Sequence, residues 1–159
     1  MPQHETKYPK IGLETALDHL HDVLDPAYVQ WTRRQTRANA LAIAQAAWQL
    51  CDRYWHDKGC PDKQPFMDAL YNACPELRLM RDHAETGKHT GLGRADVQLV
   101  SITGAENPGG ISETATPIGT HTAVPECTLT MHAGDKDYDL SDLLKRVVGF
   151  WHKELTPPA

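Results

Sequence analysis

The residues best suited to chemistry gather between Arg78 and Arg94. The run Glu76-Leu77-Arg78-Leu79-Met80-Arg81-Asp82-His83-Ala84-Glu85-Thr86-Gly87-Lys88-His89 mixes arginine and histidine, residue types that occur together where RNA or phosphate is handled. Arginine offers a fixed fork of donors to phosphate oxygens. Histidine exchanges a proton near neutral pH. Arg78 and His83 are the catalytic candidates; Arg81, Lys88, His89 and Arg94 are the candidates for holding a nucleic acid or a phosphate. On one helix Arg78 and His83 stand about 140° apart, from 3.6 residues per turn. They cannot readily serve one substrate atom from a single flat face, but they could line a groove between two packed copies. The same residues also read as a solvated, salt-bridged face. Arg78, Asp82, Glu85 and His89 share one stripe and Arg81, Glu85 and Lys88 another, with pairs worth about 0.3–0.5 kcal/mol each. Asp82 and Glu85 then neutralise the helix, and the remaining positive charge lies at its end.

Other constellations are weaker. His19 and His21 sit two apart on a helix and face different ways, and His19 with Asp22 lacks a third ligand. Cys127 and His132 would approach a metal only if the hairpin that carries them met another ligand; Cys127 is expected to be buried and His132 exposed. Cys51, Cys60, Cys74 and Cys127 form no Cys-x-x-Cys pair, so no metal site and no cofactor is expected. Phosphate-loop, nucleophile-elbow and His-Glu-x-x-His motifs are absent. Arg33-Arg34-x-x-Arg37 lies near Trp31 and could meet phosphate, though charge runs of this kind are usually solvated. Trp48, Trp55 and Trp151 read as core.

The elements that must position these residues follow from apolar spacing. Residues 1–12 form an irregular arm with Pro2, Pro9 and Gly12. Leu13, Leu17, Leu20 and Leu24 predict a helix face, ended by Asp25-Pro26, with Asp25 able to cap the next helix. Ala27 to about His56 contains no Gly or Pro. Its two adjacent apolar stripes predict the central helix, with an early part that can be separate around Arg33–Arg37. Pro65–Ala73 predicts a short helix with Phe66, Leu70 and Ala73 inside. Cys74-Pro75 breaks it and starts the Arg/His helix, with Leu77, Met80 and Ala84 inward. Val97–Thr103 reads as a strand. Residues 104–125 form a long Gly/Pro/Ser/Thr-rich loop. Cys127–His132 and Asp137–Leu140 read as a hairpin about Gly134-Asp135. Ser141 is expected to cap a last helix with Leu144, Val147, Val148, Trp151 and Leu155 buried.

The fold class is therefore mainly α, or α+β. A bundle of four to five helices over residues 13–159 carries a small antiparallel β insertion at about 96–140. A chain of 159 residues buries enough surface to fold without metal or disulfides. A net charge of −5 argues against a protein that coats nucleic acid non-specifically. With no signal peptide, no span of about 18 apolar residues and cysteines that read as reduced, a cytoplasmic location and no membrane contact are expected.

Arg-x-x-x-x-His near the start of a late bundle helix resembles the signature of HEPN domains. These are helical-bundle proteins of bacterial and phage conflict systems, many of them metal-independent ribonucleases that act as dimers. On that resemblance Arg78 stabilises charge on the phosphate and His83 assists proton transfer at the ribose 2′-hydroxyl, in a homodimer. Leu79 stands where those proteins usually carry a polar residue. A second likeness, over residues 38–155, is to uncharacterised bacterial and phage proteins with an Arg-Asp-x-x-Asn-x-x-Lys-His pattern. Arg81, Asp82, Lys88 and His89 match it, Glu85 replaces the Asn, and Trp48 and Phe150-Trp151 match the flanking helices.

Two functions are weighed on these grounds. The first is a non-catalytic HEPN-like accessory protein that binds protein or nucleic acid, with the 104–125 loop and the hairpin as its partner surface. The alternative is a HEPN-type endoribonuclease using Arg78 and His83. The acidic balance, Leu79 and Glu85 favour the first.

Overall fold

The computed structural model describes residues 15–88, 98–109 and 128–156, except the side chains of 87 and 88. The protein is mainly helical, with a small three-stranded antiparallel sheet placed before the last helix. Thr15 opens the first helix, its hydroxyl accepting from the Asp18 N–H. Helix α1 (Ala16–His19) then runs through a π-helical turn (Leu20–Leu24) directly into α2 (Asp25–Arg33). The break expected at Asp25-Pro26 does not occur. Pro26 has no N–H to give and its ring crowds the carbonyl four residues back. The wider turn absorbs this, with the Asp25 N–H bonding the Leu20 carbonyl five residues earlier. Asp25 is helical and does not cap. The buried face is Ala16, His19, Leu20 and Leu24; Leu17, expected inside, is exposed.

The chain breaks instead at Arg34–Thr36. Thr36 accepts from the Asn39 N–H, and α3 (Arg37–Lys58) follows. The separate segment expected before the long helix is thus α2. Helix α3 closes on Gly59 in the left-handed conformation. It is the central helix. Ala40, Ile43, Ala44, Ala47, Leu50 and Cys51 are almost fully buried, and its small alanines allow the close approach of α5 (Glu76–Lys88). Between them, α4 (Lys63–Ala73) buries Met67, Leu70 and Tyr71. Ala73, expected inside, is exposed, because the inward stripe runs through Met67 and Tyr71.

The strands are β1 (Val100–Thr103), β2 (Thr130–Ala133) and β3 (Lys136–Asp139), in the order β1-β2-β3. Val100 pairs with Ala133, and His132 with Asp137. Gly134, with φ at 63°, takes the first position of the two-residue hairpin turn. Val100, Met131 and Ala133 face the core, whereas Ser101, Thr103 and Asp137 face out. The last helix, α6 (Leu140–Leu155), is capped by Asp139, whose carboxylate accepts from the Asp142 N–H, not by Ser141. The helix starts one residue before Ser141, directly off the end of β3. Leu144, Val147, Val148 and Trp151 are buried and Leu155 is half-buried. The Trp151 ring meets Tyr54 edge-on, with centroids 5.8 Å apart. Trp48 and Trp55 are only half-buried. The N-terminal arm, Val97, Cys127 and residues 110–125 of the long loop lie outside the described residues. The loop's first part is anchored: Gln35 and Asn107 exchange backbone hydrogen bonds, and Arg37 binds both Glu106 and the Gly104 carbonyl.

Trp151→Ala should lower stability by about 3–5 kcal/mol, read as a fall in the urea midpoint. Leu17→Ala, at an exposed site, should stay within about 0.5 kcal/mol of wild type. Equal effects would contradict the placement of α6 against α3.

Candidate functional site

Pro75 sets the entry of α5, and the helix buries Leu77, Met80 and Ala84 against the core as the spacing requires. Two of its charged residues leave the solvated face anticipated for them, whereas Arg78 stays exposed. Arg81 and Asp82 are both buried, at 9% and 2% exposure. The Arg81 guanidinium donates from Nε and Nη2 to one Asp82 oxygen, at 3.0 and 2.8 Å. Burial pushes the Asp82 carboxyl above its ordinary range, against the pull of Arg81 and of the Gln98 N–H that it also accepts. One carboxylate thereby ties α5 to the chain that enters β1.

Arg78 is exposed, and its guanidinium lies 4.9 Å from the Tyr71 ring centre; Arg81 lies 5.8 Å from the same ring. Arg78 also lines a cleft of about 360 Å³ between α5 and the β2–β3 hairpin, with Asp82, Gln98, Asp135, Lys136 and Tyr138. The cleft is of mixed charge. It offers an arginine fork, an ammonium and a phenol to a ligand, opposed by carboxylates. Sequence reading missed Gln98, Asp135, Lys136 and Tyr138 as site residues. They stand far from Arg78 along the chain, and only the packing of the sheet on α5 brings them there.

His83 does not line that cleft. It is half-buried, and its Nε2 is buried without a hydrogen-bond partner. Burial lowers its pKa below the usual histidine value, so the ring is neutral at physiological pH. Arg78 and His83 are therefore not brought together within one chain. Lys88 ends α5, and its side chain, like His89 and Arg94 entirely, lies outside the described residues.

The other candidates resolve into structural roles. Trp31 is buried and is not available to stack beside Arg33 and Arg34. His19 is buried, with Nε2 on the Ala46 carbonyl at 3.1 Å, while His21 is exposed and pairs with Asp25, so the two face apart. The Cys51 and Cys74 thiols are pushed up to about 12, chiefly by burial, and are not nucleophiles at neutral pH. A second cavity, of about 220 Å³, is walled by Trp48, Gln49 and Met67, with Lys63 held to Asp52 at 2.5 Å. Among the described residues no group of three metal-ligating side chains converges. Nor is any described helix long and apolar enough to cross a membrane. No protein-family model matches the chain, and neither a curated protein nor a solved structure shows significant similarity to it.

A histidine whose pKa is lowered by folding adds stability above its unfolded value, 6.5 for His83, and loses it as the pH falls toward the folded value. His19 is lowered in the same direction. Urea midpoints should therefore fall between pH 7.5 and 5, and His83→Asn should shrink the fall without abolishing it. An identical pH dependence in wild type and His83→Asn would contradict the desolvated His83.

Proposed function

We propose that this chain is a non-catalytic HEPN-like accessory protein of bacterial or phage type. In this reading it is cytoplasmic and binds a protein partner at the cleft between α5 and the β2–β3 hairpin. The observation that carries the proposal is the separation of Arg78 from His83: the first lines the cleft and the second does not. A mainly helical fold with the Arg-x-x-x-x-His segment on a late helix is consistent with the HEPN resemblance. Arg81 adds no free charge, because Asp82 neutralises it inside the protein. A cleft with Arg78 and Lys136 opposed by Glu76, Asp82 and Asp135 suits a mixed-charge polypeptide better than a polyanion.

The second reading, a homodimeric metal-independent endoribonuclease, is favoured by one feature. Burial holds His83 as a neutral imidazole, the protonation state in which a general base acts. Arg78 of one copy and His83 of another would then have to meet at one RNA phosphate, with Arg81, Lys88, His89 and Arg94 holding the strand.

The two readings separate experimentally. Tagged wild-type protein expressed in a bacterial host should recover a stoichiometric protein partner. Arg78→Glu with Lys136→Glu should lose that partner, and His83→Ala should keep it. Total RNA should remain intact with the purified protein. RNA cleavage by wild type that His83→Ala abolishes would replace this proposal with the nuclease.

A further inference from the structure

The outward face of the sheet carries a second constellation, on residues that play no part in the α5 cleft. The two-residue turn at Gly134-Asp135 sets His132 directly opposite Asp137. The His132 Nδ1 lies 2.6 Å from an Asp137 carboxylate oxygen, and its Nε2 lies 2.6 Å from the Thr103 hydroxyl on β1. With His132 neutral, the bonding order within this chain of three follows from chemistry. An ionised carboxylate only accepts, so the Nδ1 of a neutral His132 carries the proton. Nε2 is then the acceptor, and the Thr103 O–H must donate to it. A hydroxyl donating to an imidazole that a carboxylate orients is the arrangement that activates a nucleophile.

The hydroxyl is also held in place. Thr103 ends β1, and Gly104 follows with φ at 110° and its Cα so close to the neighbouring chain that a Cβ there would lie 2.2 Å from the Thr128 carbonyl oxygen. Arg37 donates to the Gly104 carbonyl, and the Ala105 N–H donates to the Thr128 hydroxyl. The strand end cannot drift away from His132 without breaking these contacts. Thr103 is exposed, so a small reagent can reach it. Ser101 serves as an internal comparison. It lies on the same face, paired across from His132 in the strand register, and is a less hindered primary alcohol. The hydroxyl on Nε2 is nevertheless that of Thr103.

We propose that Thr103, His132 and Asp137 form a nucleophilic relay in which Thr103 takes an acyl group from small activated esters. The Thr103 oxygen attacks the ester carbonyl, and its proton passes to His132 Nε2. The bond from the carbonyl to the alcohol or phenol oxygen breaks, and that oxygen leaves with the electron pair. The product is an acyl ester on Thr103, with Asp137 stabilising the imidazolium. His132 then returns its proton to solvent. In the second half water attacks the acyl carbon, His132 takes the water proton, and the carboxylic acid leaves as Thr103 regains its hydroxyl proton.

The test uses p-nitrophenyl acetate on the full chain. Lysines and Cys60 also accept acetyl, so the site is located by tandem mass spectrometry rather than by nitrophenolate release. Thr103 should acquire the acetyl group roughly 100-fold faster than Ser101. His132→Gln should remove that preference, and Asp137→Asn should reduce it, with circular dichroism confirming the fold of each. A preference below about tenfold in the wild type, or one that survives His132→Gln, overturns the proposal. The wild-type comparison of the two hydroxyls stands even if a variant fails to fold.

Discussion

The ion pair between Arg81 and Asp82 is the interaction on which the arrangement of α5, the sheet and the cleft depends. Both groups are buried, and a buried charge left without its partner costs several kcal/mol. The pair therefore holds together or the local structure gives way. Asp82 extends the constraint, because it also takes the Gln98 N–H and so fixes the chain as it enters β1. Arg81 extends it the other way, over the ring of Tyr71 on α4. Two consecutive residues thus link α4, α5 and the segment leading into β1.

This constraint decides what the basic segment can do. Of the two arginines in the described helix, one is spent inside the protein and the other, Arg78, is left at the cleft mouth. The same turn of helix that sends Asp82 toward the sheet sends His83 elsewhere, into a desolvated position. A helix that neutralises itself and divides its arginine from its histidine is better built for holding a partner surface than for cutting a phosphodiester within one chain. The outward sheet face is different in kind. Its Thr103, His132 and Asp137 are joined through short hydrogen bonds: the strand register sets His132 opposite Asp137, and Thr103 reaches His132 diagonally from β1.

Much of the fold was legible because it rests on short-range rules. The apolar stripes of α3 and α6, the Cys74-Pro75 break and the Gly134-Asp135 turn all follow from periodicity and backbone chemistry. The errors came where a neighbouring element overrode a local signal. Pro26 reads as a stop, yet a π turn carries the helix through it. Leu17 continues a leucine stripe, but that turn shifts the register and leaves it outside. Ser141 is a good capping residue that arrives too late, since Asp139 already caps the helix from the end of β3. The cleft was not legible, because Arg78 and Lys136 meet only through sheet packing. The burial of Arg81 was not legible either, since spacing on a helix says which residues share a face and not what covers it. The juxtaposition of His132 and Asp137 was open to inference: a two-residue turn between them puts them opposite each other.

The central claim, that the charge of α5 is neutralised internally by a buried pair, is tested most directly by a double-mutant cycle. Stability would be measured by urea unfolding for wild type, Arg81→Met, Asp82→Ala and the double variant. Each single change should cost about 3 kcal/mol or more. The double variant should cost less than their sum, with a coupling of about 1–3 kcal/mol. Losses that simply add, or singles that fall within about 0.5 kcal/mol of wild type, would show Arg81 and Asp82 to be the solvated surface charges that their sequence spacing alone implies.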